Sequence, residues 1–276
     1  MAISPAAETI FKIGNINITN SIFTAFVVVV LLSFFAIIIG SKLTVEKPTK
    51  TQLFLEIVFE GFLDIVKGVL GKATDIAFPI LFTFLIFILF SNWFGLLPIT
   101  GTIGFIHNEE NTYEVAENNE THITIFSCLK NRNCIITNRL RVEESKEFVP
   151  IFRAPTSDVS ITAALSLTSV ITSNVLGLMF QGIGFVKKYF NFNSITDFFV
   201  GILELISEIG KIISFTFRLF GNIFAGEVLL LVITTISYGL ATLPFMALEV
   251  FVGFIQALVF FMLSAVFMSL SVLKHE

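Results

Sequence analysis

Residues 214–230, SFTFRLFGNIFAGEVLL, set a guanidinium (Arg218), an amide (Asn222) and a carboxylate (Glu227) inside a stretch that otherwise reads as hydrocarbon-facing helix. A charge in the core of a bilayer costs about 3 kcal/mol on insertion scales, so such groups face a partner, a cavity or water. Arginine keeps its proton at any accessible pH, whereas a buried lysine can lose it. Arg218 therefore cannot relay protons; it is a fixed counter-ion and a barrier to a mobile proton. Glutamates, by contrast, can bind and release protons. The same helix carries Glu204, Lys211 and Arg218 at intervals of seven, with Glu208 and Asn222 four residues after Glu204 and Arg218. Residues seven apart drift by only about 20° around a helix, which predicts one polar stripe. Glu227 lies nine residues past Arg218, about two and a half turns on, and falls on roughly the opposite side. Further along, Glu249 and Gln256 are seven apart and share a face. Carboxylates on two sides of one fixed cation point to two aqueous half-pathways that meet at a barrier, not to a single open pore. The plainer reading is that Arg218 pins the helices by pairing with Glu227 or by snorkelling to water. The spacing to Glu227 argues against the first, and the six uncharged residues between Lys211 and Arg218 argue against the second. Asn222 and Gln256 also suit ordinary interhelical hydrogen bonding.

These residues sit in a chain that is 55% apolar and only 14% charged, with 34 phenylalanines among 276 residues. That composition excludes a soluble domain of this size. Charge-free runs cover Ile22 to Gly40, Ile76 to Ile106, Val159 to Val186, Val228 to Leu248 and Val250 to Leu273, each about the 20 residues or more that cross a bilayer as helix. The reading is an all-α integral membrane protein with about five membrane helices. The first run lacks a small-residue cleavage site after it, so it is expected to stay as a span. Lys42, Lys47 and Lys50 follow the first run, and Lys187 and Lys188 follow the third. By the positive-inside bias these segments are cytoplasmic and the N-terminus is outside. No basic patch with interleaved aromatics exists outside the spans, which excludes nucleic acid as a partner.

Between the first two spans, TQLFLEIVFEGFLDIVKGVL (51–70) places Glu56, Glu60, Asp64 and Lys67 at spacings of three and four. It predicts an amphipathic helix on the cytoplasmic face, the alternative being a soluble linker helix. Segment 107–157 is the one polar insertion. There THITIF and CIITNRLRV alternate apolar with polar around LKNRN, which predicts a small extracytoplasmic β-hairpin with Cys128 and Cys134 flanking its turn. In an oxidising outer compartment these two cysteines could pair as a disulfide. The spacing of His107 and His122 from the cysteines matches no familiar metal template, so no metal is expected. The domain reading is accordingly 1–106 (first span, interfacial helix, second span), 107–157 (insertion) and 158–276 (third span and ion-pathway hairpin).

From Thr196 to about Tyr238 no proline interrupts the pattern, which predicts a helix of about 40 residues, on the order of 60 Å long and twice the hydrocarbon thickness. Such a helix must tilt steeply and needs protein neighbours to hold it. The chain turns at Ala241 to Pro244 and returns to about Leu273, making a long, strongly tilted hairpin with an apolar flank that needs a partner.

RLFGNIFAGEVL (218–229) and FIQALVFFMLSAVF (254–267), supported by NWFGLLP (92–98) and PTSDVSITAALSL (155–167), resemble subunit a of the F-type ATP synthases, and the resemblance covers essentially the whole chain outside 107–153. It implies that Arg218 is the stator arginine facing the carboxylate of each passing rotor subunit, with Asn222 and Gln256 as its polar neighbours. It further implies that Glu227 is the acidic residue of one half-channel, with Glu249 near it, and that Glu204 belongs to the cytoplasmic side. The implied function is coupling of proton translocation to rotation of the c-ring and so to ATP synthesis in the Fo sector. The partners implied are the c-ring, peripheral-stalk b subunits and the lipid bilayer; the implied location is a bacterial inner membrane or an energy-transducing organelle membrane. The chain has no phosphate-cradling glycine loop, so no nucleotide, cofactor or catalytic site of its own is expected. Two departures stand out: the 107–153 insertion is long for this family, and IISF after Lys211 lacks a proline that some members carry. The competing class is a self-contained secondary ion transporter. Such proteins usually show internal repeats, and no second copy of RLFGN exists here.

Overall fold

A computed structural model describes residues 9–13, 16–44, 48–97, 100, 103–108, 146–182, 184–185, 195–237, 239 and 241–273. The predicted hairpin, Cys128 and Cys134, and His122 lie outside the described residues. The chain divides into two units, residues 1–103 with 150–276 and residues 104–149. The second unit enters the description through β3 (Gly104–Asn108) and β4 (Lys146–Pro150), which pair at the two ends of the insertion. An N-terminal hairpin of β1 (Thr9–Ile13) and β2 (Ile16–Thr19) was not foreseen; Gly14 and Asn15 separate its strands in sequence, a turn signal the apolar runs overshadowed.

The first unit is helical: α1 (Asn20–Ser41), α2 (Lys50–Leu70), α3 (Thr74–Gly95), α4 (Val159–Gln181), α5 (Ile195–Ser237) and α6 (Thr242–Val272). Five helical stretches among the described residues are long and apolar enough to cross a membrane, with a turn of 3₁₀ helix at Gly71–Ala73 joining α2 to α3. Side-chain caps begin several of them: Thr19 accepts from the Ile22 amide, Thr49 from Gln52 and Asp158 from Ser160. Gln52 clasps the α1–α2 connection, donating to the Thr44 carbonyl at 3.0 Å and accepting from its amide at 3.2 Å. The long helix expected from Thr196 to about Tyr238 is α5, which holds no proline; the return expected to about Leu273 is α6, which begins at Thr242 and takes Pro244, expected in the turn, into its first turn, where no helical donor is lost.

The bundle centres on α6, which packs against α3, α4, α5 and α2. Val66, Leu81, Ile88, Leu219, Phe261, Ala265 and Met268 are wholly buried there, and Phe215 and Phe260 meet with ring centroids 4.9 Å apart. Lipid is as apolar as leucine, so helices in a membrane associate through close packing and interhelical hydrogen bonds. A ladder of small hydroxyls supplies these along α4: Ser166 to Thr216 at 2.6 Å, Ser169 to Ser264 at 2.8 Å and Ser173 to Ser271 at 2.7 Å. Ser169→Ala and Ser173→Ala are each expected to destabilise the purified assembly by about 1 kcal/mol, seen as a lowered melting temperature. Thr172→Ala, whose hydroxyl bonds only within its own helix, serves as the control and should change little.

Candidate functional site

The connection between α5 and α6 folds the two helices against each other, so that Glu227, ten residues before the end of α5, comes beside Glu249, seven residues after the start of α6. The match is close: an added Cβ at Gly226 would lie 2.5 Å from both the carboxyl carbon and Oε1 of Glu249. Glycine at 226 is thus what allows the acid to lie against α5. Asn92, Gly95, Leu96, Ala154, Ile223 and Leu230 complete a cleft of about 40 Å³ with the two glutamates. A water needs about 10–15 Å³ of such space, so the cleft has room for two or three with carboxylate and amide partners. Asn92 is itself fixed, donating to the Gly253 carbonyl at 3.1 Å and accepting from the Thr156 hydroxyl at 2.7 Å. Trp93 donates to the Val250 carbonyl at 3.1 Å, tying α3 to the same turn of α6. Gly226→Ala is expected to push the Glu249 carboxylate out of its seat and lower proton transport several-fold with little change in melting temperature, because the displaced atoms are the end of a flexible side chain. In a Glu249→Ala background the added methyl meets no carboxylate and should lower transport no further.

Arg218 lies roughly 14 Å along α5 from Glu227 at 1.5 Å per residue. Its side chain is exposed. Nη2 donates to Ser214 Oγ at 3.2 Å, and the guanidinium carbon stands 5.9 Å from the centroid of the Phe215 ring. Both contacts are within its own helix. The surrounding face is low, since side chains added at Gly210 and Gly221 would meet nothing within 4 Å. Asn222 turns the other way, donating to the Oε1 of buried Gln256 at 3.4 Å, which joins α5 to α6 just beside the arginine.

On the opposite side of Arg218 from the cleft lies a second polar cluster. Lys211 Nζ donates to Glu208 Oε1 at 2.6 Å and stands 5.0 Å from the Phe267 ring centroid. Asn174 of α4 donates to the other Glu208 oxygen at 3.4 Å. Glu204, one turn earlier, is half-buried. The heptad stripe therefore does not keep a single environment: its early members turn toward α4 and α6, while Arg218 is exposed. The reason is the drift of a heptad on a straight helix, together with a change of the neighbours that α5 packs against.

The structure thus brings together Glu227 with Glu249, and Asn222 with Gln256. Glu204 lies apart from both pairs, nearer to Glu208, and Arg218 stands between the two ends. Sequence reasoning passed over Asn92 and Arg153, whose Nη2 lies 3.8 Å from Glu227 Oε2. Arg153 reads as part of the polar insertion; its one signal was its place two residues before the PTSD stretch.

The family model described as ATP synthase A chain matches residues 21–269. A relative called ATP synthase subunit a from Syntrophobacter fumaroxidans is 27% identical over 221 residues, covering 80% of this chain and 71% of its own. Another of that name from Legionella pneumophila is 25% identical over 270 residues, covering 98% of this chain and 94% of its own.

Proposed function

Because the chain belongs to the ATP synthase A chain family, we propose that it forms two proton half-channels against a rotor c-ring and couples proton passage to rotation and ATP synthesis. It is an integral, multi-pass membrane protein of that complex. The observation that carries the reading is one exposed, permanently charged arginine on α5, lying between the cleft of Glu227 and Glu249 toward one end of that helix and the Glu204 and Glu208 cluster toward the other. A proton reaches the cleft of Glu227 and Glu249 from outside and neutralises a rotor carboxylate. The neutral acid can then turn into lipid, where an ion would cost far more. After nearly a full turn it gives its proton to the cytoplasmic path near Glu204. Arg218 repels any proton that would cross directly between the paths, and Asn222 and Gln256 fix the helix surface beside it. The reading places the α5–α6 hairpin at a steep tilt with its exposed face, Arg218 included, on the ring. The α2 helix lies at the cytoplasmic interface with Glu56, Glu60 and Asp64 toward water, and 107–157 extends outside.

Chemistry in this scheme is confined to proton transfer; ATP is made elsewhere in the complex, and peripheral-stalk b subunits hold this chain against the torque. A bacterial inner membrane suits the composition and the relatives. Purification in mild detergent followed by mass spectrometry tests the assignment: a co-purifying ring of small two-helix subunits is expected, whereas a lone chain that transports ions in liposomes would overturn it.

A further inference from the structure

We propose that Arg153 is a positioning residue of the outer half-pathway, holding the Glu227 carboxylate at the cleft wall so that it stays within reach of the water shared with Glu249. The inference rests on the outer-pathway reading of Glu227 given above and adds a residue which that reading does not use. Arg153 comes from the segment between β4 and the 3₁₀ turn Pro155–Ser157, not from the hairpin that carries the acids. Its Nη2 stands 3.8 Å from Glu227 Oε2, with the two side chains 12% and 26% exposed. The guanidinium is braced from behind, where Nε donates to Ser157 Oγ at 3.1 Å and that hydroxyl in turn donates to the Ala154 carbonyl at 2.9 Å. Its backbone amide donates to Thr24 Oγ1 of α1 at 3.2 Å. The next residue, Ala154, seats against Gly95 of α3 so closely that an added Cβ there would lie 2.5 Å from the alanine methyl. Two helices therefore fix the base of the arginine, and one hydroxyl fixes its head.

A simple stability role fits this geometry poorly. A largely buried ion pair repays its desolvation only with excellent geometry, and well-packed neutral residues often do as well or better. A pair at 3.8 Å is too long for a direct hydrogen bond. What it does supply is orientation. Glu227 has several rotatable bonds, and a fixed cation on one side of the cleft selects the rotamers that keep its oxygens at the wall that Ala154 and Glu249 share. Arg218 lies on the exposed face and cannot serve this purpose.

The test uses the intact complex in inverted vesicles, reading ATP-driven acidification alongside the amount of assembled complex. Arg153→Gln is expected to slow pumping about three- to tenfold, in the range of couplings between contacting residues. Arg153→Lys should recover part of that loss. In the Glu227→Gln background, Arg153→Gln should add little, because its effect passes through the missing carboxylate. Unchanged pumping in Arg153→Gln, or an equal further loss in both backgrounds, would overturn the proposal. Should Arg153→Gln fail to assemble, Arg153→Lys, which keeps the charge but not the Nε contact to Ser157, is read in both backgrounds instead. It should slow pumping when Glu227 is present and not when it is glutamine; equal slowing in both would overturn the proposal. A different failure, normal pumping in Glu227→Gln alone, would strike the outer-pathway reading itself.

Discussion

Arg218→Ala is expected to abolish ATP-driven proton pumping while the chain still inserts and assembles. Assembly should survive because the guanidinium's contacts, to Ser214 and the Phe215 ring, both lie within its own helix. Its loss opens no cavity in the buried core. Function should not survive, because an ionised rotor acid passing this face would lose the counter-ion that offsets its cost in hydrocarbon. That cost is about 3 kcal/mol on insertion scales, which corresponds to roughly a 100-fold slower passage. The barrier between the two paths goes with it, so vesicles stripped of the soluble head should leak protons faster than wild type. Arg218→Lys separates charge from geometry. Lysine presents a compact charge that can be lost on burial, so this variant should pump far below wild type yet leak less than alanine. Pumping by Arg218→Ala at the wild-type rate would contradict the scheme outright.

The second large effect is expected from Glu227→Leu combined with Glu249→Leu. Each acid alone should slow proton transfer about tenfold, since the other remains in the same small cleft. Together the loss should reach about 100-fold or more, the range typical of removing positioned proton-transfer groups. The geometry motivates a more than simple redundancy: both acids line a space for only a few waters, so a chain of hydrogen bonds has few alternative links. Leucine at both positions also makes the cleft apolar, and a dry cleft cannot carry protons. Unchanged transport in the double variant, with normal amounts of assembled complex, would remove both acids from the pathway.

Much of the architecture was legible because lipid imposes a simple rule on the backbone: every buried amide must be bonded within its own helix. Charge-free length therefore marks α1, α3, α4 and α6, whereas the run from Val228 to Leu248 straddles the turn between α5 and α6, and it is the absence of proline between Thr196 and Tyr238 that marks α5 as one helix. Periodicity alone also separated Glu227 from Arg218. Side-chain distances were not legible in the same way. The approach of Glu249 to Gly226 depends on how two helices meet, and a glycine in GNIFAG carries no mark of which acid will lie on it. Nor could Arg153 be found by helix spacing. It comes from irregular chain beyond a strand, and its contact with Glu227 spans 74 positions that only the packed bundle brings together. The heptad stripe went too far in the other direction, because equal spacing does not guarantee equal surroundings once the partners of α5 change along its length.

Central to the account is that Glu227 and Glu204 belong to two wet clefts kept apart by Arg218. The direct measurement is side-specific thiol labelling of the assembled complex, with Cys128 and Cys134 replaced by serine and a single cysteine placed at 227 or at 204. A membrane-impermeant reagent should modify position 227 only from the outer face and position 204 only from the cytoplasmic face. Modification of either position from both faces with Arg218 in place would mean one continuous pore, and the account would fail.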